Sequence, residues 1–201
     1  MSAKNEALIV IDMQQDFCEG GALAVAGGNA LVAPINTLMA EFSTVILSQD
    51  WHPADHRSFA SQHHEKGPFE LAEMHYGPQV LWPDHCVQGT DGADFHPELN
   101  LHAAQLILRK GFRPEIDSYS AFFENDRTTT TGLEGYLRSH SITHLTFVGL
   151  ALDYCVHYSA VDARRLGFEA DVLSSHSRAI DLDGSLAAAR SSMTAVGVQL
   201  V

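Results

Sequence analysis

Lysine is scarce in this chain: Lys4, Lys66 and Lys110 are the only three among 201 residues, and Lys plus Arg number 12 against 25 Asp plus Glu. Phosphate backbones and anionic lipid surfaces are bound through Lys and Arg, so a formal net charge of −13 excludes nucleic acid and membrane surfaces as partners. Long hydrophobic runs are also missing. The longest apolar stretches fall far short of the ~20 residues that cross a bilayer. Cysteine is sparse and odd in number, at Cys18, Cys86 and Cys155, and this wide spacing argues against a disulfide framework. At least one thiol is therefore free. The opening MSAKNEALIVIDMQQDF has no basic head leading into an apolar stretch and a small-residue cleavage site, which predicts a cytoplasmic protein.

What is present is globular: 45% hydrophobic and 18% charged residues, in a length ordinary for one domain spanning 1–201. Ala7 to Ile11, Thr44 to Leu47, Ala104 to Leu108, Leu145 to Val148 and Ala170 to Leu173 read as buried strands, with Val196 to Val201 a weaker sixth. Helical spacing or composition fills Asn29 to Phe42, Gly132 to Ser139, Tyr154 to Leu166 and Gly184 to Ala195. Strands alternating with helices pair in parallel through right-handed crossovers. The expected fold is therefore α/β, a three-layer α/β/α domain around a central, mainly parallel six-stranded sheet. One stretch breaks the alternation: residues 51–102 hold five of the seven prolines and eight of the twelve histidines, with no periodic segment. Its aromatic residues predict an ordered loop excursion that walls a site, since disordered segments are poor in them.

In open parallel sheets the ligand crevice lies beyond the carboxyl ends of the strands. Strand one ends at Asp12, strand two at Asp50-Trp51-His52, strand three at Arg109-Lys110-Gly111, and strand four runs through Gly149 to Cys155. Cys155 falls where a helix should begin, a position that favours the thiolate. An isolated Cys is nevertheless more often a small core residue, and Cys18 and Cys86 fit that reading better. A Lys that closes a buried strand is costly without anionic partners, unless it snorkels to solvent. Asp12 and a Cys155 thiolate would be such partners, and together the three give a base, a cation and a nucleophile. In Asp50-Trp51-His52, residues i and i+2 of an extended chain face one side, so carboxylate and imidazole can reach one ion, with His85 delivered by the excursion. That donor set suits zinc, iron or manganese, and His56 and Glu65 are further candidate ligands. His63-His64 reads as an exposed pair. A lone D-x-H also occurs by chance in surface turns.

The sequence resembles the nicotinamidases of the isochorismatase-like cysteine hydrolase family over nearly its whole length. The resemblance rests on IDMQQDFCEGGALAV, SQDWHPADHRSFASQH, LWPDHCVQGTDGADFHPEL, RKG followed by DSYSAFF, and GLALDYCV, in the family's order. It implies a catalytic triad of Asp12, Lys110 and Cys155, and one divalent metal ion, zinc ahead of iron or manganese, on Asp50, His52 and His85. It further implies an aromatic clamp of Phe17 and Trp82, joined by Tyr119, and an oxyanion hole from the backbone N–H groups of Ala151 and Cys155 beside a cis Leu150-Ala151 peptide. The implied substrate is a small neutral amide, nicotinamide, with pyrazinamide a further one; a homo-oligomer is left open. Leu152 departs from the Thr usual in GLAxDYC, inside the loop that shapes the oxyanion hole. The rivals are another family member acting on a vinyl ether or a ureido amide, and a non-catalytic metal-storing protein. The first does not need D-x-H with W-P-D-H-C, and the second leaves Lys110 and Cys155 without a role.

Overall fold

The computed structural model describes residues 5–201, so Lys4 lies outside the described residues. Six strands form one sheet in the order β5-β2-β1-β6-β7-β8, every pair parallel: β1 (Glu6–Ile11), β2 (Val45–Asp50), β5 (Leu106–Lys110), β6 (His144–Leu150), β7 (Glu169–Arg178) and β8 (Gln199–Leu200). Central strands of such a sheet are covered on both faces, which is why β1 reads as a continuous apolar run rather than an alternating one. Its side chains nevertheless divide. Leu8 and Val10 pack with Val32, Ile35 and Met39 of α1 (Val32–Met39), while Ala7, Ile9 and Ile11 face α2 (Leu133–Ser139), α3 (His157–Arg165) and α4 (Ser185–Ala195) through Leu133, Ala160 and Ala189. The three-layer architecture expected from the alternation is the one observed. Among the described residues, no helix is long and apolar enough to cross a membrane.

Element boundaries move for physical reasons. α1 begins only at Val32, after a 3-10 turn over Asn29–Leu31. Pro34 in its first turn costs no helical hydrogen bond, because those N–H groups lack intrahelical acceptors anyway. β5 is an edge strand whose outer positions stay partly exposed, and it runs to Lys110. β7 extends to Arg178 through a polar tail, SSHSR, that an apolar-run criterion cannot see. The helix expected from Tyr154 is divided: a π-type turn at Leu152–Val156 precedes α3. At Gly149, φ is +112° and an added Cβ would meet the Ile11 carbonyl oxygen at 2.1 Å, so β1 and β6 approach here as only glycine permits.

The excursion at 51–102 is ordered but not structureless. It contains an antiparallel hairpin, β3 (Leu71–Met74) and β4 (Gly77–Val80), which the sequence does not announce. The fully buried position of β4 is Gln79, a polar residue, and Pro78 beside it argues against a strand except in a hairpin with free edges. The excursion is sewn to the strand ends. His52 N–H donates to the Cys86 carbonyl (3.0 Å), Gln88 N–H to the His52 carbonyl (2.8 Å), and Gln15 N–H to the Asp94 carbonyl (2.9 Å). His96 N–H donates to the Met13 carbonyl (2.8 Å), and Cys86 N–H to Asp16 Oδ2 (2.7 Å).

Candidate active site

β1, β2, β5 and the turn after β6 deliver Asp12, Asp50, Lys110 and Cys155 to one place. Lys110 is fully buried, and Nζ lies 2.8 Å from Asp12 Oδ2, pairs closely with Asp50 Oδ1, donates to the Ser118 carbonyl at 2.9 Å and sits 3.5 Å from Cys155 Sγ. It does not snorkel. Burial alone would favour the neutral amine, but Asp12 and Asp50 outweigh it and hold the ammonium well above its ordinary range. One oxygen of Asp12, one of Asp50 and Cys155 Sγ all lie within 4.8 Å of one another.

Asp12 Oδ1 accepts from the Ser48 hydroxyl at 2.7 Å, whereas Oδ2, though beside the ammonium, has no aligned hydrogen-bond donor. Burial and then Asp50 raise the Asp12 carboxyl against the pull of Lys110, which makes it a stronger base than an exposed aspartate. The thiol departs from the sequence expectation. Burial pushes Cys155 well above its ordinary value despite Lys110, so the resting sulfur carries its proton and the helix-terminus effect does not decide its state. Asp12, paired with Lys110 through Oδ2, has a carboxylate oxygen within 4.8 Å of a thiol that must lose a proton. Cys18 and Cys86 are buried free thiols, as expected of core residues.

Asp50 joins two constellations. Its Oδ1 takes the Lys110 ammonium, and its Oδ2 faces His52 Nε2 at 3.6 Å and His85 Nε2 at 4.0 Å. His52 Nδ1 lies 2.8 Å from the Gly111 carbonyl and His85 Nδ1 2.8 Å from the Pro83 carbonyl. A carbonyl only accepts, so each Nδ1 carries hydrogen and each Nε2 lone pair points inward. Burial, the largest cause, pushes His85 down to about 4, keeping it neutral and ligand-competent. His52 Nε2 is buried without a hydrogen-bond partner. Two buried carboxylates, Asp12 and Asp50, pair with the single Lys110 ammonium, and a third, Asp117, lies beside His52 and His56. A buried orphan nitrogen, two inward imidazoles, a carboxylate and an excess of anionic groups fit one divalent cation.

His56 is buried and forms an overlapping group with His52 and Asp117 within 4.8 Å, although its Nδ1 contacts the Ser58 hydroxyl at 2.7 Å. Glu65 is exposed and belongs to no such group among the described residues. His64 is exposed, but His63 is half-buried and its Nε2 lies 2.8 Å from the Arg57 carbonyl, so the two are not an equivalent pair.

A narrow cleft opens onto Cys155 and is bordered by Phe17, Trp82, Tyr119, Ala151 and Asp117. All three aromatic residues singled out in the sequence therefore meet there, together with both residues expected to supply backbone N–H groups. The Leu150-Ala151 peptide is cis. Leu152, in contrast, packs into the core beside α2, α3 and α4 and does not border the cleft. Its departure from Thr leaves the polarity of the cleft untouched.

Sequence reasoning missed the supports. Gln14 accepts from Asp50 N–H through Oε1 and donates through Nε2 to the Asp50 carbonyl, both at 2.8 Å. Gln79 Nε2 donates to Asp117 Oδ2 and to the Tyr119 hydroxyl, each at 2.7 Å. For Ser48 and Gln14 a signal existed: each is a polar residue two positions from a strand-end aspartate, within or beside a run that is otherwise apolar.

Residues 6–200 match the isochorismatase domain family. The chain is 52% identical over 199 residues to the nicotinamidase of Acinetobacter baylyi, covering 99% of this chain and 93% of that relative. A solved nicotinamidase pyrazinamidase of Acinetobacter baumanii superposes with a TM-score of 0.99 at 50% identity, covering 100% of this chain and 97% of that one. The pyrazinamidase of Pyrococcus horikoshii, solved in complex with zinc, superposes at 0.79 with 32% identity and 98% coverage of both chains. With a family match over nearly all of its length and a relative at 52% identity, the chain belongs to the nicotinamidase branch of the isochorismatase family.

Proposed function

We propose that the chain hydrolyses nicotinamide to nicotinate and ammonia through a thioester on Cys155, and takes pyrazinamide by the same route. The observation that carries this reading is the contact of one buried lysine with Asp12, Asp50 and Cys155 at the floor of an aromatic-walled cleft. Asp12 Oδ2 takes the thiol proton as sulfur attacks the carboxamide carbon, and Lys110 offsets the negative charge that develops in a site closed to water. Backbone N–H groups of Ala151 and Cys155 hold the tetrahedral oxyanion. Asp12 returns its proton to the leaving ammonia, and water then cleaves the thioester. Phe17, Trp82 and Tyr119 hold the flat ring so that the carbonyl carbon meets the sulfur. Asp50, His52 and His85 would hold one divalent ion, zinc in the first place, whose chemistry when bound is to anchor a heterocyclic nitrogen and to acidify water. The whole of 1–201 acts as one domain in this reading, with the 51–102 excursion contributing His85 and Trp82.

Ammonia release from nicotinamide, measured with and without a chelator and then with zinc, iron or manganese restored, tests the assignment. Turnover should fall on chelation and return with at least one metal; no turnover with any of them overturns the reading. Cys155→Ala should abolish ammonia release, by roughly a thousandfold or more, while its metal content matches that of the unaltered protein.

A further inference from the structure

Tyr154 precedes the nucleophile and is only partly buried, as is Tyr119, whereas Trp82 is buried. Its ring meets Trp82 edge-on at 4.9 Å and Tyr119 at 5.5 Å between centroids. Those two are fixed in place. Trp82 Nε1 donates to the Tyr119 hydroxyl at 3.1 Å, and Gln79 Nε2 donates to the same oxygen at 2.7 Å. Tyr154 instead borders three separate spaces. One is the cleft over Cys155. The second, about 800 Å³ with open solvent included, lies between Phe69 and Leu71 on one side and Leu182 and Asp183 on the other. The third, about 740 Å³ on the same measure, is bordered by His157, Tyr158 and Ser192. Its polar tie is to Ser185, at the start of α4.

A ring with fixed neighbours on one side and open space on the others can leave its place without displacing packed atoms. The cleft it borders is walled by the flat rings of Phe17, Trp82 and Tyr119. We propose that Tyr154 is a gate and specificity-determining wall: in place it limits the cleft to single-ring carboxamides, and when it swings toward the flanking spaces it lets substrate in. This rests on the amidase reading above and adds the residue that sets the size limit. Phe17 and Trp82 grip the faces of the substrate; Tyr154 sets how far the ring plane can extend.

The test compares kcat/KM for nicotinamide with that for two fused-ring probes, quinoline-3-carboxamide and isoquinoline-4-carboxamide, which extend the pyridine in different directions. The unaltered protein should hydrolyse nicotinamide and discriminate against both probes. Tyr154→Ala should raise the ratio of kcat/KM for at least one probe over nicotinamide at least tenfold, with the loss on nicotinamide appearing mainly in KM. Tyr154→Leu, which keeps apolar packing against Trp82, should shift the ratio in the same direction by less. A merely structural role would lower both substrates in parallel and leave the ratio unmoved. An unchanged ratio in the folded variants overturns the proposal, as does an unaltered protein that takes both probes as readily as nicotinamide. So do folded variants that hydrolyse none of the three amides, since the ring would then serve the chemistry rather than the entrance. Failure of the unaltered protein on nicotinamide itself would instead sink the amidase reading.

Discussion

Gly111 shows how narrow the tolerances are at single positions. It follows β5 with φ +65°, its carbonyl fixes the His52 tautomer, and an added Cβ would stand 2.4 Å from His52 Cε1. Gly111→Ala should therefore tilt the His52 ring and, if the proposed site is the metal site, weaken its hold on added zinc by about 10- to 100-fold, read by competition with a chromophoric chelator. The thiol of Cys155 should still react with iodoacetamide in that variant. Asp12, Lys110 and Cys155 were legible in the sequence because strand ends converge and because a lone lysine at one of them needs anions. The protonation of the resting thiol was not legible: it depends on burial in the folded core, and local sequence records only the nearby helix start.

The β3–β4 hairpin acts through one inward amide. Gln79 ties Asp117 and Tyr119 together, so the hairpin sets the position of an aromatic wall that lies 40 residues away in the chain. Gln79→Leu should leave the buried Asp117 Oδ2 short of its donor, at about 1–3 kcal/mol, lowering stability in a urea titration, while Tyr119 keeps its bond from Trp82. KM for nicotinamide should rise more than kcat falls, because the ring-binding wall loosens while Lys110 and Cys155 keep their contacts. The central strands were readable because buried parallel strands are apolar in their cores, and the edge strands β5 and β8 were marked by their short apolar stretches. The hairpin was not, since its buried position is polar and it carries a proline. The π-type turn before α3 also escaped notice, because helical composition does not distinguish i+4 from i+5 bonding.

Across the whole molecule, acidity has two consequences. A neutral amide approaches a chain of net charge −13 without long-range repulsion, which an anionic substrate would meet. The excess also reaches the interior. Burial, against the pull of Arg113, raises the Glu124 carboxyl to about 7 from an ordinary value of 4.5, and its Oε2 has no hydrogen-bond partner. A carboxyl raised on folding binds its proton more tightly in the folded state, so stability from this group is present below pH 4.5 and is lost as pH rises through 7. Glu124→Gln should thus lose less thermal stability than the unaltered protein between pH 5 and pH 8, measured as the change in Tm over that interval. The class of fold could be read from patterning, and motifs marked the candidate site residues that the fold brings together. What could not be read was Asp50 serving Lys110 and the histidines at once, since it requires β2 and β5 in their observed register.

The excursion at 51–102 carries little regular structure, yet it is pinned to the strand ends at His52, Cys86, Asp94 and His96. Lys66 lies on an exposed stretch between the first two of these points. A protease that severs the chain there cuts a loop whose two arms are each separately fastened. The pieces 1–66 and 67–201 would stay clasped through β1, β2, β5 and β6, as a two-chain protein whose candidate site residues come from both halves: Asp12, Asp50 and His52 from one, His85, Lys110 and Cys155 from the other.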